Sequence, residues 1–159
     1  LRCGGHPKEG ELKVHIAVVA EKVTRSERGN MSIEGIFNTM FAPSYPARHP
    51  GMAILIRLLY YKSEVLDTAK RVAFKFVDAD GLSVFEFRSD TEFPPVPEGE
   101  TWAIWDHELT LTNFPIDAAG EYSIDFFFGS DKLIGLPVLA KVVALSPSGD
   151  EGTTDAPGR

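Results

Sequence analysis

An all-β, antiparallel β-sandwich is the fold class this chain predicts, and three observations predict it. Apolar residues recur with period two in segment after segment. The clearest is Tyr122-Ser123-Ile124-Asp125-Phe126-Phe127-Phe128, closed by Gly120 and Gly129. Glycine, proline and Asx turn signals separate these segments at fairly regular spacing. No segment carries the apolar stripe of an amphipathic helix. Roughly eight strands with immunoglobulin-like or jelly-roll-like connections are expected. A small β-barrel is the alternative, because periodicity does not distinguish a closed sheet from two packed ones.

The elements follow in order. Lys13–Ala20 is rich in β-branched residues and reads as the first strand. Glu21–Asn30 is polar and ends in the turn dipeptide Gly29-Asn30. Met31–Phe41 reads as one strand whose alternation slips at Gly35, where a bulge is expected. Pro43, Pro46 and Pro50 then mark a connection, since proline supplies no N–H to a central ladder. Met52–Tyr61 is apolar except at Arg57, so this strand must be covered on both faces. Ser63–Thr68 holds the one hint of a helical turn. Arg71–Val77 and Leu82–Phe87 form a hairpin about Asp78-Ala79-Asp80-Gly81. Arg88–Gly99, with three prolines, reads as a loop, and Thr101–Thr112 as a long strand with a bulge near Asp106-His107. Lys132–Leu145 is the last strand, and Pro137 places that part of it at a sheet edge.

Composition sets the bounds. At 159 residues and 43% hydrophobic content the chain suits one domain with a substantial core. We expect a flexible leader over 1–11, the sandwich over 12–145 and a disordered tail over 146–159, where Pro, Gly, Ser, Thr and Asp dominate. The net charge is −7, of which about −5 falls on 12–145, and this disfavours a nucleic-acid partner. Cys3 is the only cysteine, so no internal disulfide is possible, which suits a cytoplasmic setting. Nothing approaches the roughly 18 unbroken apolar residues of a membrane-spanning helix, so no membrane role is expected.

Gly29-Asn30-Met31-Ser32-Ile33-Glu34-Gly35-Ile36-Phe37, then Pro46-Ala47-Arg48-His49-Pro50 before an apolar strand, resemble a family of uncharacterised bacterial proteins. Asp78-Ala79-Asp80-Gly81 and Gly120-Glu121-Tyr122 fit the same order of landmarks, and the resemblance spans about residues 12–143. It implies a single β-sandwich of unknown function and brings no catalytic residues with it.

Candidate chemistry is sparse. Asp78-Ala79-Asp80-Gly81 starts like a calcium loop, but Leu82, Val84 and Phe85 replace the later oxygen ligands, so it reads as a hairpin turn. His6, His15, His49 and His107 lack metal spacing, and His15 falls in a strand expected to be core. Trp105-Asp106-His107-Glu108 is the most suggestive tetrad, yet Asp106 and Glu108 share a strand face that His107 does not. Seven acids lie between Glu86 and Glu108 against Arg88 alone, which reads as a solvated acidic loop or a cation-attracting surface. No cofactor or metal is expected.

The aromatic excess is more informative. Phe127 shares a face with the polar Ser123 and Asp125, while Leu58-Leu59-Tyr60-Tyr61 loads both faces of its strand. Such apolar surface marks an interface unless loops fold over it. The expected function is therefore a non-catalytic interaction or accessory module that binds a protein partner or self-associates. Its contact candidates are Arg57, Tyr60, Tyr61, Trp105 and Phe127. The alternative is a small-ligand or carbohydrate-binding domain using Trp102, Trp105 and His107, the tryptophans serving as stacking platforms. An enzyme built on His107 is the third reading.

Overall fold

Period-two patterning becomes nine strands among the described residues of the computed structural model, which are 12–62 and 70–144. They are β1 (Lys13–Arg25), β2 (Met31–Ile36), β3 (Thr39–Ala42), β4 (Ala47–Tyr61), β5 (Lys70–Asp78), β6 (Ser83–Thr91), β7 (Trp102–Ile116), β8 (Gly120–Phe128) and β9 (Asp131–Val142). A four-stranded sheet runs β2-β1-β4-β7 and a five-stranded sheet runs β3-β9-β8-β5-β6. Every pairing is antiparallel except β3 with β9. The expected leader, the tail and the helical hint at Ser63–Thr68 lie outside the described residues.

The two sheets share one core, and the fold is an all-β sandwich. Alternate residues of β4, namely Met52, Ile54, Ile56, Leu58 and Tyr60, face Val72, Phe74 and Phe76 of β5 and Ile124 and Phe126 of β8. Burying each such side chain contributes about 1.5–3 kcal/mol. Ring contacts add direction: Phe74 meets Phe126 at 5.0 Å, and Phe76 meets Phe114 edge-on at 4.8 Å.

Part of the other face of β4 is covered by the chain itself. β1 leaves β4 after the pair Ala20–Ala53 and continues to Arg25 paired with β2 alone. At the bend Gly35 takes φ +64°, and the side chain of Glu21 fills the space where a Cβ would stand. The β1–β2 ribbon then folds back as an arm. Val23, Met31 and Ile33 pack on Ala53, Leu55, Ile16 and Val18 in a second, smaller core. The arm thus buries Ala53 and Leu55, while Leu59 and Tyr61 farther along the same face stay half-buried.

Several expectations are corrected by this topology. Met31–Phe41 is two strands in different sheets, divided at Phe37-Asn38, while the left-handed Gly35 lies within β2 and causes no shift in the β1–β2 register, so the expected bulge is absent. β1 extends through the polar Glu21–Arg25, which sequence assigned to a connection. β4 starts at Ala47 and passes through Pro50, which pairing with β7 tolerates because β1 reaches only Ala53 on the opposite side. No bulge occurs at Asp106-His107: the β4–β7 register is continuous from Met52–Leu111 to Tyr61–Trp102. The irregularity in that strand sits instead at Asn113, whose φ is +53°. The bulge of the first strand falls at His15, which is skipped between Val14 and Ile16 and turned to solvent rather than into the core. Pro137 lies on a stretch of β9 that β3 does not reach, as its sequence position implied.

Candidate functional site

The outer face of the four-stranded sheet concentrates the polar chemistry. Register places Arg57 of β4 beside Asp106 of β7, and the guanidinium grips the carboxylate through Nε at 2.6 Å and Nη2 at 3.0 Å. The returning arm brings Arg25 to the same carboxylate at 3.3 Å. Nη2 of Arg25 and Nη2 of Arg57 each also lie 3.5 Å from Sδ of Met31. The hydrogen bonds from Arg57 hold the Asp106 carboxyl below the usual carboxylate range, against the opposing effect of burial, and Arg25 adds to the same direction. The same contact raises Arg57 above the ordinary arginine value. Two cations therefore converge on one anion, at the edge of the small core beneath the arm.

The sequence-predicted contact residues are dispersed by the fold. Arg57 is half-buried in that ion pair. Tyr60 points inward, donates its hydroxyl to the carbonyl of Pro94 at 2.7 Å and packs on Phe93, so it is no surface candidate. Trp105 is likewise core, stacked on His107 at 5.0 Å and edge-on to Phe93. Tyr61 is half-buried on the outer face, opposite Trp102, which is 48% exposed. Phe127 lies on the other sheet, half-buried, with the ammonium of Lys75 at 4.8 Å from its ring centre. The fold therefore brings Arg57, Tyr61 and Trp102 onto one face and leaves Phe127 on the opposite side of the sandwich.

His107 lies between Trp105 and Phe74, with buried Nε2 lacking a hydrogen-bond partner. Burial lowers its pKa below the ordinary histidine value. Asp106 and Glu108 face the other way, as alternation requires. Trp105 and His107, offered as ligand-binding residues, are thus internal, and Trp102 alone of that trio is exposed. Among the described residues no group of three or more His, Cys, Asp or Glu side chains is placed to hold a metal ion.

Other expectations gain a physical account. Oδ1 of Asp78 accepts hydrogen bonds from the backbone N–H groups of Asp80 and Leu82, so the Asp-rich loop uses its carboxylate to close the turn. The acids between Glu86 and Glu108 do not form one bare loop. Glu86 contacts Arg88 and Lys75, Asp90 contacts Arg71, and Asp106 contacts Arg57 and Arg25. Lys75–Glu86, Arg71–Asp90 and Arg57–Asp106 are also register partners, so strand pairing supplies the cations that the local sequence lacks.

Sequence reasoning missed two features. Arg25, Met31 and Asp106 were not singled out as partners of Arg57, since the ion pair spans 49 residues. The exposed Ile36, Phe41, Val142 and Val143 were also overlooked. No local signal marked Phe41: the alternation resets at Phe37-Asn38, between β2 and β3, and leaves Met40 inside and Phe41 outside.

Comparison with known proteins adds the family. An immunoglobulin-like protein from Pseudomonas aeruginosa is a structural neighbour, at 16% identity and TM-score 0.40, over 85% of this chain and 100% of that one. No curated protein matches the chain. The family model described as a family of unknown function (DUF6941) matches residues 15–140, and the chain belongs to that family.

Proposed function

We propose that this sandwich is a non-catalytic interaction module, and that it self-associates through the edge formed by β3 and the end of β9. The observation that carries the reading is Phe41, a large ring left 64% exposed on a four-residue edge strand. Val143 lies near it, two residues past Lys141, the register partner of Phe41, and donates its N–H to the carbonyl of Ala42, whereas Val142 pairs with Ala42 and points to the opposite face. Exposed apolar surface of this kind is where protein contacts form. A second copy is the occupant that the charges favour. Lys141 pairs with Phe41 in register, Glu121 stands one strand away on the same sheet, and neither has an ion pair among the described residues. A two-fold contact can set the Lys141 of one copy against the Glu121 of the other around a shared Phe41 cluster.

Sedimentation velocity across protein concentration tests this reading. The expected result is a concentration-dependent dimer that Phe41→Asp converts to a monomer with unchanged circular dichroism. A native chain that stays monomeric at high concentration, or a variant that dimerises equally well, refutes it. A second reading, carbohydrate binding, keeps Trp102 as an exposed stacking ring beside Tyr61. Its test is quenching or shift of Trp102 fluorescence across a panel of sugars, and an unresponsive spectrum removes it.

A further inference from the structure

The arm does not seal fully against the sheet it covers. Between its tip and β4 lies a half-open cavity of about 320 Å³, with Ile16 and Leu55 contributed by the sheet, Met31 and Ile33 by the arm, and Arg57 on its wall. We propose that this cavity binds a small amphipathic monocarboxylate, its apolar chain under the arm and its carboxylate against Arg57 and Arg25.

Three features of the site select that chemistry. Ile16, Leu55, Met31 and Ile33 offer a hydrocarbon body an apolar wall, and the Gly29-Asn30 turn and Arg57 make the rest of the lining polar. Two cations grip one anion, because Arg57 and Arg25 share the single carboxylate of Asp106, while Glu108, the register partner of Leu55, stands on the same face without contacting either arginine. The donors are only partly served: Nη2 of each arginine donates to Oδ2 of Asp106, at 3.0 Å from Arg57 and 3.3 Å from Arg25. Nη2 of each arginine lies against Sδ of Met31, and thioether sulfur is a weak acceptor. A carboxylate oxygen near that sulfur would accept charge-assisted hydrogen bonds of about twice the ordinary strength. Asp106 would keep its own contact with Arg57. A dianion such as phosphate would carry twice the charge past Asp106 and Glu108 and must be desolvated against the apolar part of the wall. Octanoate is a short-chain probe of this chemistry. This site and the β3/β9 edge lie on different sheets, so neither proposal depends on the other.

Isothermal titration calorimetry with octanoate, 1-octanol and inorganic phosphate on the whole chain tests the assignment. Octanoate should bind saturably with one site per chain, about tenfold more tightly than 1-octanol, and phosphate should give no saturable heat. Arg25→Gln should weaken octanoate about three- to tenfold and leave 1-octanol unchanged, as expected for loss of a partly exposed charged donor. Ile33→Trp should fill the cavity and abolish binding of both, with Leu55→Phe as a second filling variant should the first disturb the arm. Absence of saturable octanoate binding overturns the proposal. So does equal affinity for octanoate and 1-octanol, or undiminished binding in a filling variant whose near-UV circular dichroism matches the native chain.

Discussion

Removing the Arg57–Asp106 pair should cost this domain more than removing the Arg25–Asp106 pair, and the structure says by how much. Asp106 has a side chain only 10% exposed, and Arg57 is 28% exposed, whereas Arg25 is 48% exposed. The Arg57 contact is also bidentate, through Nε and Nη2. Hydrogen bonds to charged groups contribute about 1.5–3 kcal/mol, and an exposed ion pair only about 0.2–1 kcal/mol. Partial exposure of Arg57 places its coupling to Asp106 toward the lower part of the first range, at about 2 kcal/mol. The coupling of Arg25 to Asp106 should stay below about 1 kcal/mol. Double-mutant cycles with Arg57→Met, Arg25→Met and Asp106→Ala, read by urea unfolding at pH 7, measure both terms. The pH dependence gives an independent check. Asp106 has a depressed folded pKa, so its stabilisation is complete above the unfolded carboxylate value of about 3.9 and is lost as pH falls toward the folded value. Asp106→Asn should therefore lower stability at pH 7 and flatten the acid limb. A larger coupling for Arg25 than for Arg57, or an acid limb unchanged in Asp106→Asn, would refute the argument.

Two further substitutions probe the interior. His107→Phe removes an unpartnered buried Nε2 while keeping a ring between Trp105 and Phe74, and should stabilise the fold by about 1 kcal/mol in thermal or urea unfolding. Its pH signature follows from the lowered pKa of His107. Below an unfolded value of about 6.5 the unfolded chain takes up a proton that the folded chain does not, so native stability falls with pH by up to about 1.4 kcal/mol per unit until the folded value is reached. That contribution should vanish in the variant, and an identical pH slope would show that His107 is not desolvated. Gly135→Ala places a Cβ 2.8 Å from Oδ1 of Asp125, a buried carboxylate held by Ser123 and Lys132. Displacing it should cost about 1–3 kcal/mol, read as a lowered urea midpoint, and an unchanged midpoint would show that the cluster yields freely.

What sequence alone determined here is everything carried by neighbours along the chain. Two-residue alternation set the strands and their inward faces, and therefore that Trp102 and Trp105 point apart and that Phe127 shares a face with Asp125. Local turn chemistry marked Asp78–Gly81, because an Asx carboxylate and a left-handed glycine act over four residues. Each of these rests on a backbone period or a short-range hydrogen bond, so no fold is needed to see it. The tertiary structure alone decided which strands meet. Alternation does not say what lies beyond a face, and so it did not reveal that the chain's own arm packs over Ala53 and Leu55 on the outer side of Met52–Tyr61. Nor did it reveal that Tyr60 and Trp105 are interior, that Pro50 sits where β1 has ended, or that Phe41 is stranded on an edge. The Arg57–Asp106–Arg25 cluster belongs to the same class: its members are brought together by antiparallel register and by one bend at Gly35, two long-range choices that depend on burying the whole sheet at once.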